Sequence, residues 1–206
     1  MNEPVRIAVF DLNSTVYNLS SKEVFFKFVC FRRNYKMMNI LHLSMFKILG
    51  SLRLVSHTEF KENFFNYLDN LPPHKVEEFA RDFWKIEYPK HFNKELLQRI
   101  EELREEGVEI VFATGALELY AAPLFNNHIK VDAWVGTQAE YKDGTYKLTG
   151  EACKQDEKTR RIREHYGDRD IQIVEAYSDD EEHMFKFTER PYLINDGEIE
   201  RYRKGV

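Results

Sequence analysis

Short apolar runs that end at a polar residue recur along the chain and predict buried β-strands. The first, VRIAVFD, is rich in β-branched residues and stops at Asp11. Three later runs have the same character, VEIVFATG, VDAWVG and IQIVEAYSDD, and PYLIN adds a fifth. We expect the second strand to end at Thr114 and the fourth at Asp179. The segment AEYKDGTYKLTG predicts a β-hairpin that turns at Asp143-Gly144.

Helical periodicity occupies the stretches between these strands. NKELLQRIEELREEG places leucine and isoleucine on one face and has a C-terminal stop at Gly107. Further helices are predicted in ALELYAAPLFNNH, with a bend near Pro123, and in CKQDEKTRRIREHYG. From Asn93 onward strands alternate with helices. This order predicts an α/β fold with a Rossmann-like parallel sheet and helices on both faces.

Residues 20–90 interrupt the alternation after the first strand. They are long, aromatic and helix-like, with few strand signals, and prolines at 72, 73 and 89 punctuate them. We interpret this block as an inserted α-helical cap. The predicted domains are an α/β core of residues 1–18 and 91–206, and a helical cap domain of residues 19–90.

Composition places the 206-residue chain among globular proteins, with 43% hydrophobic and 32% charged residues. No run approaches the ~20 apolar residues of a membrane span. The opening residues lack the apolar region of a signal peptide. The two cysteines lie far apart in sequence, which is typical of a reducing compartment. We therefore expect a cytoplasmic protein; the oligomeric state is left open.

The net charge of −5 is unevenly distributed. Residues 20–55 contain seven basic residues and one acidic residue, a local net charge of +6. A chain whose remainder is acidic is not a uniformly basic nucleic-acid binder, so we expect no nucleic-acid partner. The 20–55 segment is also apolar. It either packs on itself with its basic groups solvated or makes a peripheral contact with anionic lipid.

The predicted strand ends bring together candidate chemistry. Ligands of open α/β sheets bind beyond the carboxyl ends of the strands, where Asp11, Thr114 and Asp179 would converge. Lys154, at the start of the helix before the strand that ends at Asp179, could reach the same crevice. Each residue alone could be a helix cap, a turn residue or a solvated lysine. Together they form a plausible phosphoryl-transfer site, in which a carboxylate attacks phosphorus.

Four segments carry a family resemblance that covers essentially the whole chain. FDLNST resembles the first motif of the haloacid dehalogenase superfamily, normally Asp-x-Asp-x-Thr, and VFATGA is similar to the second. Lys154 in GEACKQDEK matches the third motif, and AYSDDEEHMFKFTERPYLIN matches the fourth. The position of the helical insertion is similar to that of the phosphoserine-phosphatase-like branch of this superfamily.

The resemblance implies a role for each matching residue. Asp11 would be the nucleophile and a Mg²⁺ ligand, Asn13 would offer its backbone carbonyl to the metal, and Asp179 would complete the metal site. Thr114, Gly115 and Lys154 would bind the phosphoryl group. Thr15 would bond the backbone of the strand-to-helix turn.

Two positions depart from the family pattern. The family has Asp as general acid and base where this chain has Asn13, and an amide cannot exchange a proton at useful pH. The loss of such a group typically costs roughly 10²- to 10⁴-fold in rate. Asn13 is either natural or introduced to trap a complex, and the sequence fits both. The second departure is His183, where the family has a further metal-site carboxylate; imidazole is a poor Mg²⁺ ligand. Asp180, Glu181 or Glu182 could substitute for that carboxylate, or could be first-turn helix residues that the helix dipole favours.

We therefore expect a Mg²⁺-dependent phosphomonoester hydrolase that works through an aspartyl phosphate and is attenuated by Asn13. Its substrate would be a small phosphorylated metabolite or a lipid phosphate. The alternative is a catalytically inactive relative that binds a phosphorylated ligand or a protein partner. A dehalogenase is less favoured, because Asp179 indicates a metal site.

Overall fold

The computed structural model describes residues 3–33 and 65–203. The strands are β1 (Val5–Phe10), β2 (Glu109–Leu117), β3 (Ala133–Thr137), β4 (Ala139–Lys142), β5 (Thr145–Leu148), β6 (Ile171–Ser178), β7 (Thr188–Asn195) and β8 (Glu198–Arg201). The helices are α1 (Ser21–Arg32), α2 (Pro73–Glu87), α3 (Lys94–Glu105), α4 (Glu118–Asn127) and α5 (Asp156–Tyr166), with 3₁₀ helices at Asn66–Leu68 and His183–Phe187.

The larger sheet has six strands in the order β3-β2-β1-β6-β7-β8. β1 lies in the interior and pairs in parallel with β2 on one side and β6 on the other. Strands β3 and β7 extend the parallel pairing outward. The predicted α/β class with a mostly parallel sheet is confirmed. Apolar residues fill a cluster on each face of this sheet, as expected for strands covered by helices on both sides.

The edge strand β8 was not predicted. It pairs antiparallel with β7 after a tight turn at Asp196 and Gly197, which both have positive φ (49° and 89°). The Asn-Asp-Gly sequence at this turn is typical of a two-residue hairpin. One edge of the sheet is therefore antiparallel rather than parallel.

Two strand ends differ by a few residues from the prediction. β2 runs on to Leu117, so Thr114 lies inside the strand, at a place where its pairing register with β3 shifts between Ala113 and Leu117. β6 ends at Ser178, one residue before Asp179. The shift arises because the backbone at Thr114 leaves the ladder and then rejoins it, which sequence patterning does not show.

Four aromatic rings stack across the interior strands just before the strand ends. Phe112, Phe10, Tyr177 and Tyr192 lie in register on β2, β1, β6 and β7. Their successive centroid separations are 5.6, 4.7 and 4.8 Å. Stacked cross-strand pairs stabilise a register. This aromatic ladder therefore fixes the relative positions of the loops that follow β1 and β6.

Helices α1 and α2 come from the predicted cap block and pack on α4 of the core. The Trp84 indole donates a hydrogen bond of 2.7 Å to the Tyr120 carbonyl, and the Phe25 ring stacks on the Tyr120 ring at 4.9 Å. Apolar residues of both predicted domains belong to one continuous cluster. The division into core and cap at residues 18/19 and 90/91 stays a prediction. The predicted helical stretches and basic positions at 34–64 lie outside the described residues.

The predicted hairpin is present as β4 and β5 and contacts the segment that leads into α2. Asp143 (φ 51°) and Gly144 (φ 83°) form its turn. The Gly144 carbonyl accepts a hydrogen bond of 2.7 Å from the Asn70 amide, and the Tyr146 hydroxyl donates one of 2.8 Å to the Leu71 carbonyl. Within residues 3–33 and 65–203, no helix is both long enough and apolar enough to cross a bilayer.

Candidate active site

A cavity of about 430 Å³ opens at the carboxyl ends of β1, β2 and β6. Of the sequence-predicted site residues, five line it: Asp11, Asn13, Gly115, Lys154 and Asp179. The sixth, Thr114, is fully buried beneath them, and its hydroxyl oxygen lies 3.5 Å from the Asn13 amide nitrogen. The structure therefore brings all six predicted residues to one place. Their chemical roles remain predictions.

Asp11 follows β1 directly and is 9% exposed. Its backbone amide donates a hydrogen bond of 2.9 Å to the Tyr177 carbonyl of β6, which continues the pairing of the two strands past their last paired residues. This bond fixes the Asp11 backbone next to the loop that carries Asp179. Asp11 therefore lines the cavity beside that loop.

Lys158 is the lysine that contacts Asp11, and sequence reasoning missed it. Its ammonium lies 3.1 Å from Asp11 Oδ1 and 2.5 Å from Glu182 Oε1, and the residue is 3% exposed. Burial by itself lowers the Lys158 pKa, but the two carboxylates outweigh that effect and raise the pKa above its usual value. The lysine is therefore a permanent cation beside Asp11.

Lys154 lines the same cavity but is exposed and has no ion pair with another described residue. It precedes α5, whereas Lys158 lies in the first turn of that helix. The two lysines are four residues apart, so both could fit the third motif by spacing alone. The signal that separates them is the amphipathic phase of α5, because Lys158 and Ile162 lie on its buried face.

Asn13 makes structural contacts through both ends of its amide. Its Oδ1 accepts a hydrogen bond of 2.8 Å from the Ser21 backbone amide at the start of α1, and its Nδ2 donates to Thr114 Oγ1 at 3.5 Å. The next residue, Ser14, has a positive φ of 54°, which turns the chain away from β1. Asn13 therefore connects the loop after β1 to the first cap helix and to β2.

The Thr114 hydroxyl also accepts a hydrogen bond of 3.1 Å from the Ala116 backbone amide. Because Thr114 Oγ1 accepts from two donors, its own proton remains for a further acceptor. Thr15 differs from expectation. Its hydroxyl is buried and has no partner among the described residues, so the predicted bond to the turn backbone is not formed.

Asp179 has a pKa raised to about 6, first because it is partly buried and then because the Asp11 and Asp180 carboxylates repel its charge. A carboxylate whose negative charge is disfavoured in this way is a suitable ligand for a cation. Among residues 3–33 and 65–203, no group of three or more His, Cys, Asp or Glu side chains could hold a metal ion. Mg²⁺ needs no such group, since it usually keeps several waters and binds one or two carboxylates.

His183 does not line this cavity. It begins the 3₁₀ helix after β6 and packs against the Phe187 ring at 5.4 Å between centroids. The preceding residue, Glu182, is 6% exposed and holds Lys158 instead. Glu182 is one of the three acids that could substitute for the carboxylate missing at position 183, and a metal-binding role for it stays a prediction. The sequence did not distinguish among Asp180, Glu181 and Glu182, because they are consecutive acids.

Comparison with known families agrees with this fold. The family model of haloacid dehalogenase-like hydrolases matches residues 8–181. The chain belongs to the haloacid dehalogenase-like hydrolase family, as the motifs predicted. A search among curated protein sequences found no match.

Solved structures with the same fold include several phosphatases. A protein of unknown function from Bordetella pertussis Tohama I is 18% identical, with a TM-score of 0.75 over 92% of this chain and 89% of that one. A phosphoserine phosphohydrolase-like protein from Francisella tularensis is 16% identical, with a TM-score of 0.55 over 91% and 86%. A phosphoserine phosphatase holding a phospho-aspartyl intermediate analogue is 15% identical, with a TM-score of 0.56 over 92% and 86%. The fold is similar to that of phosphoserine phosphatases.

Proposed function

We propose that this protein is a Mg²⁺-dependent phosphomonoester hydrolase that forms a phosphoryl-enzyme intermediate on Asp11. The observation that carries the proposal is the contact of Asp11 with the buried cation Lys158 in a cavity that Asp179 also lines. A carboxylate held beside a permanent cation is suited to attack an anionic phosphoryl group, because the cation offsets the charge that gathers there.

Asp11, Lys158 and Thr114 have different roles in the proposed phosphoryl transfer. An Asp11 carboxylate oxygen forms a bond to phosphorus as the bond to the ester oxygen breaks, which leaves an acyl phosphate. Lys158 and the Thr114 hydroxyl donate to the phosphoryl oxygens. Water then attacks the acyl phosphate and releases inorganic phosphate and free Asp11.

Asp11 and Asp179, with the backbone carbonyl of Asn13, are the proposed Mg²⁺ ligands. When bound, Mg²⁺ would neutralise the two carboxylates and the phosphoryl charge. The raised pKa of Asp179 supports this assignment, because burial and the neighbouring Asp11 and Asp180 carboxylates disfavour its negative charge, which a cation would offset.

Asn13 should slow both steps. No proton can pass from its amide to the leaving oxygen, and none can be taken from the attacking water. The contacts to Ser21 and Thr114 show a second use for this side chain, in positioning α1 and β2. An Asp at position 13 could keep the contact to α1, because its carboxylate accepts from the Ser21 amide as the Asn13 oxygen does.

The test is Asn13→Asp, assayed with p-nitrophenyl phosphate and Mg²⁺. We expect turnover to rise by roughly 10²-fold or more, since a general acid and base is restored. The control is the double variant Asp11→Asn with Asn13→Asp, in which the gain should vanish. No gain in the single variant would show that position 13 has another role.

The proposed substrate is a small phosphorylated metabolite, because a cavity of about 430 Å³ lies at the lower end of the size range of small-molecule sites. A lipid phosphate remains the second candidate substrate. The alternative function is an inactive relative that binds a phosphorylated ligand, and the engagement of the Asn13 amide at both ends favours it. Mg²⁺-dependent turnover of acetyl phosphate that is lost in Asp11→Ala would exclude this alternative.

A further inference from the structure

Three lysines line the cavity, Lys22, Lys154 and Lys158, and the last two differ in burial and in pairing. Lys158 is buried and paired with Asp11 and Glu182. Lys154 is exposed at the rim and has no ion pair among residues 3–33 and 65–203. In the proposed reaction, a phosphorus atom bonded to Asp11 would lie beside Lys158, which would supply the cation next to the transferred phosphoryl group. Lys154 could therefore bind another part of the ligand.

The backbone on both sides of Lys154 is fixed. The Cys153 amide donates to Thr137 Oγ1 at 3.0 Å, and this hydroxyl donates to the Gly115 carbonyl at 3.0 Å. Gln155 follows with a positive φ of 50°, and its side-chain amide donates to the Glu181 carbonyl at 3.1 Å. A non-glycine residue in this conformation persists only where its surroundings determine it, and such residues cluster at functional sites.

The stem of Lys154 packs over Gly115, the residue after Thr114. A methyl group on Gly115 would lie 3.4 Å from Lys154 Cε and 3.7 Å from Lys154 Cγ. This packing directs a long, otherwise flexible side chain along one wall of the cavity. Part of the remaining lining, Ala116 and Tyr120, is apolar and suits the carbon skeleton of a small ligand.

We propose that Lys154 determines substrate specificity by binding a second anionic group, a carboxylate or a further phosphate, on the phosphomonoester. This inference deepens the proposed function and rests on it for the placement of the first phosphoryl group. An ammonium on a fixed backbone makes a charge-assisted hydrogen bond with such a group, which is stronger than a bond between neutral partners.

The test uses two ligands that cannot be hydrolysed, benzylphosphonate and 4-carboxybenzylphosphonate, titrated calorimetrically into the protein with Mg²⁺. We expect the carboxylated ligand to bind about tenfold more tightly, as a charge-assisted contact of this kind supports. Lys154→Met should abolish that preference, and Lys154→Arg should retain most of it. Lys130→Met is the matched control, because Lys130 is exposed in the loop before β3, and it should retain the full preference.

Equal binding of the two phosphonates by the unchanged protein would overturn the assignment, and so would a preference that survives Lys154→Met. A loss of affinity that is the same for both ligands in Lys154→Met would place this lysine on the phosphoryl group instead. Binding is measured apart from turnover. A protein that prefers the carboxylated ligand but hydrolyses nothing therefore refutes the proposed reaction and keeps the role of Lys154.

Discussion

At the scale of single residues, the site depends on Lys158, whose charge is held by Asp11 on one side and Glu182 on the other. Lys158→Met keeps the length of the stem and removes the cation. We expect kcat for p-nitrophenyl phosphate to fall at least about 10²-fold, because a preorganised charge beside the transferred group is lost. Lys130→Met should retain activity, and circular dichroism checks that both variants fold. Equal activity of the two variants would show that Lys158 has no role in the reaction.

The raised pKa of Asp179 predicts that the stability of the protein depends on pH. Its pKa is raised to about 6 in the folded protein by burial and by Asp11, whereas an unfolded Asp titrates near 4. Between these values the folded state binds more protons than the unfolded state, so the contribution of Asp179 to stability falls as pH rises. We expect the difference in urea midpoint between the metal-free protein and Asp179→Asn to change with pH across this interval. A constant difference would contradict the raised pKa.

The sequence could identify a site residue where the end of one strand, or one motif, specified its position. Asp11, Thr114 and Asp179 follow or lie in apolar strands whose neighbours in the sheet were implied by the α/β pattern. The sequence did not specify in this way which lysine contacts Asp11. Lys154 lies just before α5 and Lys158 lies in its first turn. Only the burial of one face of α5 shows that Lys158 is the lysine that points into the protein.

At the scale of elements, a buried ion network joins α3, β6 and β7. Glu175 on β6 is 2% exposed and accepts two hydrogen bonds from Arg99, at 3.1 and 3.0 Å. Arg190 on β7 pairs with it at 2.9 Å, and the Tyr177 hydroxyl donates to it at 2.5 Å. Burial first, and then the hydrogen bond to Glu175, raise the pKa of Tyr177. This network supports the strand whose end carries Asp179.

Glu175→Ala should lower the free energy of unfolding by about 1–3 kcal/mol, because Arg99 and Tyr177 lose a buried acceptor, although Arg99 keeps its exposed partners. Glu102→Ala is the matched control, since Glu102 also pairs with Arg99 but is exposed, and it should cost only about 0–1 kcal/mol. Urea denaturation measures both. Similar losses of unfolding free energy in the two variants would show that burial of Glu175 does not strengthen its interactions.

The elements that the sequence predicted correctly have strong periodicity or turn chemistry. β1, α3 and the hairpin at Asp143-Gly144 are examples. β8 is short and polar, with the sequence EIER, and only the preceding turn indicates it. The continuation of β2 to Leu117 depends on pairing with β3, a tertiary contact that local sequence does not contain.

At the scale of the whole molecule, α1 and α2 share their apolar cluster with the α/β core. We therefore expect the described parts to unfold in one cooperative transition. In Trp134→Phe, the fluorescence of Trp84 reports on α2 alone, while far-UV circular dichroism reports on the whole protein. The two urea midpoints should coincide. An earlier midpoint for Trp84 would show that the cap helices unfold independently.

The position of Asp11 between β2 and β6 is a property of the complete sheet, and it supports the central claim that this carboxylate accepts a phosphoryl group. The direct measurement is mass spectrometry of the protein after incubation with acetyl phosphate and Mg²⁺. We predict a phosphoryl group on the peptide that contains Asp11, long-lived because Asn13 cannot activate water and shorter-lived in Asn13→Asp. Absence of phosphorylation, or a phosphoryl group that persists in Asp11→Asn, would contradict the claim.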